Sequence, residues 1–406
     1  MKKNLVVRSG SLRMGGLERV LIEMLQNLDS NRYNISLIIE DNSGKENVFL
    51  DQVPEGIDIY FLKPESLIER THYHRERKKN LYHKLMYNLL MSREHSFVVN
   101  KTKDVLKEIE KKYGEVDVFL DYDWGARRYV EKLKAKRKIV WIHNSVPKLL
   151  KKESKIIRFG KNLAKYDTVV AICDDMKAEL EAIYPYLKGK IERVYNPFNF
   201  KRILDLSNDM SQLNDQQKEL IKDDYIIAVS RLDTVQKDYA TLIKGYKLAA
   251  ENGVKEKLYI VGDGPDREEI ENLIKESGLE GSIVLIGKTT NPYVWMKNSR
   301  LFVHSSNYEG LPTVLIEAMI CGKVVISSNC PTGPYEILKG GQCGVLFPVG
   351  DYKALSAGLQ NLLNNPLELE KYEKTIEKRV LEFRSDVVIK EYEGVIDEKR
   401  DNILYR

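Results

Sequence analysis

The chain has 406 residues, enough for two or three domains with cores of their own. Its 65 Lys and Arg against 60 Asp and Glu leave a formal net charge of +5, too small an excess to imply nucleic acid. Four cysteines, Cys173, Cys321, Cys330 and Cys343, form no C-x-x-C pair and no ligand spacing, and no apolar run approaches the roughly 18 residues of a membrane span, so reduced thiols and a cytoplasmic chain are expected.

In chain order, MKKNLVVRSG begins with two lysines, but its apolar run stops at Arg8, far short of a signal-peptide core. Strand-like runs follow one another through the first half: NLVVRS, YNISLIIE, IDIYFL, VDVFLDYD, KIVWIHN and DTVVAIC, each separated by a helix-like segment. Continuous apolar strands alternating with helices argue for a parallel sheet covered on both faces. Asp121-Tyr122-Asp123 matches a D-x-D metal motif literally, but the tripeptide is a weak pattern and an acceptor-side or strand-end role is favoured over metal binding. His143 stands between Ile142 and Asn144 at the end of KIVWIHN, where a hydrogen-bonded packing histidine is the plain alternative to a functional one.

Charge is unevenly spread. Residues 1–200 hold 38 basic and 28 acidic side chains, and from Lys132 to Lys165 there are twelve basic residues and one acid, Glu153. THYHRERKKNLYHKLMYNLLMSREHSF and LLKKESKIIRFGKNLAK mix bases with aromatic and aliphatic residues, the composition of helices that lie on an anionic bilayer, although solvated helix faces look similar.

The segment NPFNFKRILDLSNDMSQLNDQQKELIKDD is polar and reads as an interdomain connection, after which the strand rhythm restarts near Asp224 with YIIAVS, KLYIVGDG, SIVLIG, RLFVHSS and KVVISS. Two doubly wound domains are therefore expected, with a crevice between the carboxyl ends of their strands. In YIIAVSRLDTVQK a strand ends in Ser-Arg, and Lys237 follows Arg231 six residues later; two cations there could neutralise a diphosphate, Arg231 by forking two oxygens and Lys237 as a point charge. Gly262 and Gly264 of VGDGP permit tight turns and close backbone approach to a ligand. HSSNYEGLPTVLIEAMICG is predicted to run from strand through turn to a helix opening at Pro312 and capped by Gly322. The amides of Leu311, Thr313 and Val314 at that opening favour an anion. Glu309 then lies in the loop and Glu317 one to two turns into the helix. FRSDVVIKEYEGVIDEKRDN is expected to be a helix that has left the second core.

Taken together, S-R-L with Lys237 six residues on, V-G-D-G-P, E-G-L-P-T-V-L-I-E, T-G-P-Y-E-I-L, the Gly15-Gly16 loop of SGSLRMGGLERVLIEM and WIHN resemble the retaining glycosyltransferases of family four, which have the GT-B fold. The likeness is strongest from Tyr225 to Leu338 and weakest from Pro64 to Lys112. The resemblance implies an α/β chain of two Rossmann-like domains facing each other across a cleft. These would be an acceptor-binding domain at 1–198, a nucleotide-sugar-binding domain at 199–380, and a C-terminal helix at 381–406 crossing back to the first. It implies that Arg231, Lys237, the Leu311–Val314 helix start and the Gly15-Gly16 loop hold the donor diphosphate. Glu317 would meet the ribose hydroxyls, Glu309 would face the sugar, and His143 would approach the reacting carbon. The implied activity is metal-independent transfer of a hexose or N-acetylhexosamine from a nucleotide sugar, a UDP-sugar above all, to a glycan or polyprenyl-linked cell-envelope acceptor. The enzyme would be cytoplasmic, peripheral on an anionic membrane surface. A nucleotide-sugar 2-epimerase of the same architecture and a non-catalytic nucleotide-sugar-binding protein remain alternatives.

Overall fold

The computed structural model describes residues 2–398, which divide into two compact units: residues 2–172, 177–197 and 388–398 in the first, and residues 173–176 and 198–387 in the second.

The first unit is built on β1 (Lys3–Ser9), β2 (Tyr33–Asp41), β3 (Asp58–Lys63), β4 (Val118–Asp121), β5 (Arg137–Ile142), β6 (Thr168–Ala171) and β7 (Ile191–Arg193). They are parallel, in the order β3-β2-β1-β4-β5-β6-β7. In the middle of the sheet Val7 sits opposite Leu37 on one side and Leu120 on the other, all buried, because helices cover both faces and neither face of a central strand meets water. The crossovers carry α1 (Gly16–Asn27), α2 (Glu65–Glu76), α3 (Leu81–Tyr113), α4 (Val146–Leu150) and α5 (Glu153–Leu163). From Val388 onward the last helix, Ser385–Asp397, belongs to this unit: Tyr392 stacks on Trp141 with ring centroids 4.9 Å apart, and Arg32 pairs with Glu393 and Asp397. The predicted C-terminal segment thus leaves the second core; residues 399–402 of it, like the rest of 399–406, lie outside the described residues.

The second unit has β8 (Tyr225–Val229), β9 (Lys257–Val261), β10 (Ile283–Gly287), β11 (Phe302–His304), β12 (Val325–Ser328) and β13 (Val345–Phe347), parallel in the order β10-β9-β8-β11-β12-β13. Both sheets reverse their winding, at β1/β4 and at β8/β11, and in doubly wound sheets ligands bind outside the carboxyl ends at such a reversal.

The polar segment after Asn196 is not a free connection. It folds into helices Phe200–Ser207 and Asp215–Leu220, capped by Asn199 on the amide of Arg202 and by a reciprocal pair between Asn214 and Gln217, and it buries Ile203, Leu213 and Ile221. Asn291 fixes it to the second unit by donating to the carbonyl of Leu206 at 2.8 Å. The buried positions are few and far apart within a mostly polar stretch, which is why composition alone makes it look like a linker.

Candidate active site

At the reversal of the second sheet, β8 and β11 are neighbours, with Phe302 beside Ile227. The loop after β8 carries Arg231 and Lys237; the loop after β11 carries Glu309. Main-chain bonds close these two loops on each other: Asp238 N donates to Ser305 O at 3.0 Å and Asn307 N to Gln236 O at 2.8 Å. Ser328 on β12 anchors the second loop, accepting from Ser306 N at 2.8 Å and donating to Ser306 O at 2.9 Å.

The result is a buried charged cluster. The Lys237 ammonium pairs with Glu309 Oε1, Gln236 Nε2 donates to Glu309 Oε2 at 3.1 Å, and His304 Nε2 stands 3.1 Å from Oε1. Ser306 Oγ lies 3.0 Å from the same imidazole nitrogen. Burial pushes the Glu309 carboxyl up, but the bond from His304 and the charge of Lys237 outweigh it and hold the group at about 2, so it is ionised near neutrality. Burial, with Lys237 close by, pulls His304 below the ordinary histidine range; it is neutral, with Nε2–H toward the carboxylate.

A second layer fixes the main chain of Glu309. Its amide donates to Pro331 O at 3.2 Å, and Thr332 Oγ1 donates to its carbonyl. Thr332 and Gly333 both have left-handed backbone, with φ of 62° and 93°; a Cβ on Gly333 would lie 2.6 Å from Gly310 O and from Pro312 Cδ. The T-G-P turn is therefore a buttress for E-G-L-P, and its glycine is required by contact as well as by torsion.

The helix that follows spans Thr313–Ile320, with Pro312 at its N-cap and Gly322 (φ 76°) just beyond its end. Leu311, Leu315 and Ile316 are buried, while Thr313, Val314 and Glu317 are half-buried. Glu317 lies about one turn into this helix and Glu309 in the loop before it, so the two carboxylates stand on different elements. The first-turn amides of Thr313 and Val314 have no acceptor within the helix.

Arg231 is exposed and pairs with Asp233; the carbonyl of Asp233 accepts from Lys237 N at 2.8 Å, so one aspartate organises the loop that holds both cations. Gly262, with φ 143°, and Gly264 pack against this same loop: an added Cβ would come within 2.0 Å of Ser230 O and 2.2 Å of Leu232 O. The close approach that demands glycine in VGDGP is to the protein's own backbone, and it sets where Arg231 begins.

In the first unit, His143 Nε2 donates to Tyr122 O at 2.8 Å, and burial pushes the imidazole down to about 4. With Asp123, Trp124 and Asn144 it lines a small cavity. Gly15 is the N-cap of α1, next to Gly16. Asp121 and Asp123 do not stand as a free D-x-D pair. Both face the buried guanidinium of Arg8, which also pairs with Glu40, and Asp121 further accepts from Tyr166 Oη and from Ala126 N at 2.9 Å. Burial lifts the Asp121 carboxyl to about 6 against the pull of Arg8.

Lys237 and Glu309 are marked by their motifs in the sequence, whereas His304 and Gln236 are not. The available signals were a histidine closing a wholly apolar strand and an amide beside the lysine, each too common to stand out without the register of β8 on β11.

Residues 211–379 match the family model described as glycosyl transferases group 1. An uncharacterized glycosyltransferase of Methanocaldococcus jannaschii is 35% identical over 205 residues, 49% of this chain and 50% of that protein. The N-acetylgalactosamine-N,N'-diacetylbacillosaminyl-diphospho-undecaprenol 4-alpha-N-acetylgalactosaminyltransferase of Campylobacter jejuni is 32% identical over 213 residues, 51% of this chain and 57% of that protein. The chain thus spans about half the length of these two curated relatives. The crystal structure of Anabaena HepE in complex with UDP and glucose superposes with a TM-score of 0.74 over 98% of this chain and 100% of its own, at 15% identity.

Proposed function

We propose, from the premise that the chain belongs to the group 1 glycosyltransferases of GT-B fold, that it transfers a hexose or N-acetylhexosamine from a nucleotide sugar to a lipid-linked or cell-envelope glycan, with retention at the anomeric carbon. The donor is a UDP-sugar, in keeping with the UDP held by HepE, and the acceptor class follows the diphospho-undecaprenol substrate named for the Campylobacter relative. Because that class of acceptor is anchored in a bilayer, the enzyme works at a membrane surface.

The observation that carries this reading is the buried Lys237–Glu309 pair beside the opening of helix Thr313–Ile320, at the winding reversal of the second sheet. Cleaving the sugar-phosphate bond adds about one negative charge to the departing nucleoside diphosphate, and groups that meet growing charge lower the barrier more than groups that merely bind. Lys237, Arg231 and the first-turn amides supply positive potential for that charge, with Gly262 and Gly264 shaping the Arg231 loop. Glu309, fixed as a carboxylate, orients sugar hydroxyls; Glu317 does the same for the ribose. Neutral His143 and the Gly15-Gly16 loop are carried over as donor contacts on the resemblance alone. Asp121 and Asp123 are assigned no metal, since Arg8 already answers their charge.

The test is a panel of nucleotide sugars incubated with the purified chain and a lipid extract as acceptor, read by mass spectrometry. Transfer dependent on the extract is expected, from a UDP-sugar first. Conversion of the free donor to an epimer without acceptor, or no turnover of any donor, would overturn the proposal.

A further inference from the structure

We propose that the α2–α3 hairpin of the first unit is a docking surface for an anionic lipid bilayer. The first three turns of α3 place Leu81, Tyr82, Leu85 and Leu89 within one arc of about 100° at α-helical pitch. All four are exposed, Leu81 by 70%, Tyr82 by 61% and Leu85 by 60%, whereas the opposite side of the helix buries Leu90, Val98, Val105 and Ile109. A helix that already has its own core face does not need a second apolar stripe for folding, and contiguous exposed leucines mark a surface that meets something.

Charge says what that something is. From Arg70 to Arg93 there are seven Lys and Arg and one acid, Glu76. Among the described residues, Arg70, Arg75, Lys79, Lys84 and Arg93 form no ion pair. Lys78 and Arg77 sit over the rings of Tyr87 and Tyr73, which holds them at the corner between α2 and α3. Leucines flanked by cations, with a tyrosine at the boundary, suit partition into the headgroup region of an anionic bilayer; an apolar protein groove would satisfy the leucines and leave the cations uncompensated.

The topology extends the surface. Steps β3→β4 and β5→β6 run in one direction along the sheet, and β1→β2 runs in the other. Right-handed crossovers therefore place α3 and α5 on the same face and α1 on the opposite one. On α4 and α5 the exposed apolar residues Leu149 and Ile157 again stand among lysines, so the two helical segments present the same chemistry on one side of the sheet.

This inference deepens the membrane reading of the proposed function and rests on it, and its test is separable from that of sugar transfer. The full chain is sedimented with vesicles of phosphatidylcholine alone or mixed with phosphatidylglycerol. Binding to the anionic vesicles is expected, to weaken about tenfold in a Leu85→Ser/Leu89→Ser variant and in Lys78→Gln/Lys79→Gln, and to fall as salt is raised past about 0.1 M. Both pairs are at the surface, so circular dichroism and donor turnover with a water-soluble acceptor should match the parent. Equal binding of parent and variants, equal binding to uncharged vesicles, or no binding would overturn the proposal. So would concentration-dependent self-association abolished by Leu85→Ser/Leu89→Ser, which would make a second copy the occupant. Retained vesicle binding in a chain that turns over no donor would contradict the transferase reading and leave this surface standing.

Discussion

The ion pair of Lys237 with Glu309 dictates which substitutions are informative. Glu309 is buried and the Lys237 side chain is 12% exposed, so truncating either to alanine leaves a largely buried charge unpaired and costs about 3–5 kcal/mol in stability. Glu309→Gln keeps an acceptor for His304 and removes the charge; Lys237→Met keeps the aliphatic stem. Each is expected to lower kcat by about 10²–10³, with the circular dichroism of the parent at assay temperature but a lowered melting temperature, since the partner's charge loses its counterion. Parent-like turnover in either purified variant would remove the pair from the chemistry. Protonation gives a second residue-scale prediction. His143, at about 4 in the folded chain, sits below the ordinary histidine value near 6.5, so the unfolded chain binds the extra proton and the contribution, fully present above about pH 6.5, is lost as pH falls toward 4. Glu309, at about 2, is depressed from the usual carboxylate range, so its contribution is present above about pH 4.5 and is lost as pH falls toward 2. Asp121, raised to about 6, works the other way between about pH 6 and 4, so the readout is the difference between parent and variant: His143→Gln should lose less melting temperature than the parent between pH 6.5 and 4. An unchanged profile in that variant would show that the imidazole is already charged.

Among the elements, the loops after β8 and β11 matter most, and their glycines act through backbone contact. Gly262→Ala would drive a Cβ into Ser230 O, so it should lower the melting temperature by several degrees and weaken nucleotide binding together, because the Arg231 loop moves with it. A variant with normal stability but weakened binding would instead assign Gly262 to direct ligand contact. The motif-bearing strands and the Pro312 helix opening were legible because apolar runs and cap residues are local signals. β7 and β13, three residues each at sheet edges, were not, since Ile191–Arg193 carries two charges and Val345–Phe347 is hidden between glycine-rich turns. Helices Phe200–Ser207 and Asp215–Leu220 escaped for a related reason: their stability comes from caps and a few buried side chains, and a polar composition masks both. The cluster around Glu309 was half visible. His304 needed the pairing of β8 with β11, a tertiary fact that no spacing in the chain encodes.

At the scale of the molecule, two sheets of different size carry their charges in different ways. In the first unit Arg8 takes up Asp121 and Asp123, and no group of three or more His, Cys, Asp or Glu side chains suited to a metal occurs among the described residues. Turnover is accordingly expected to survive prolonged chelation, and strict dependence on added manganese would restore those aspartates as ligands. In the second unit Arg231 and Lys237 stand on the loop after β8, where the sheet reverses its winding, and the proposed activity requires those cations to meet a sugar-linked diphosphate. Titration calorimetry of UDP into the parent chain and into Lys237→Met tests this most directly: saturable binding to the parent, weakened about tenfold or more in the variant, is predicted. Equal affinity in the two proteins, or no binding to the parent, would contradict it.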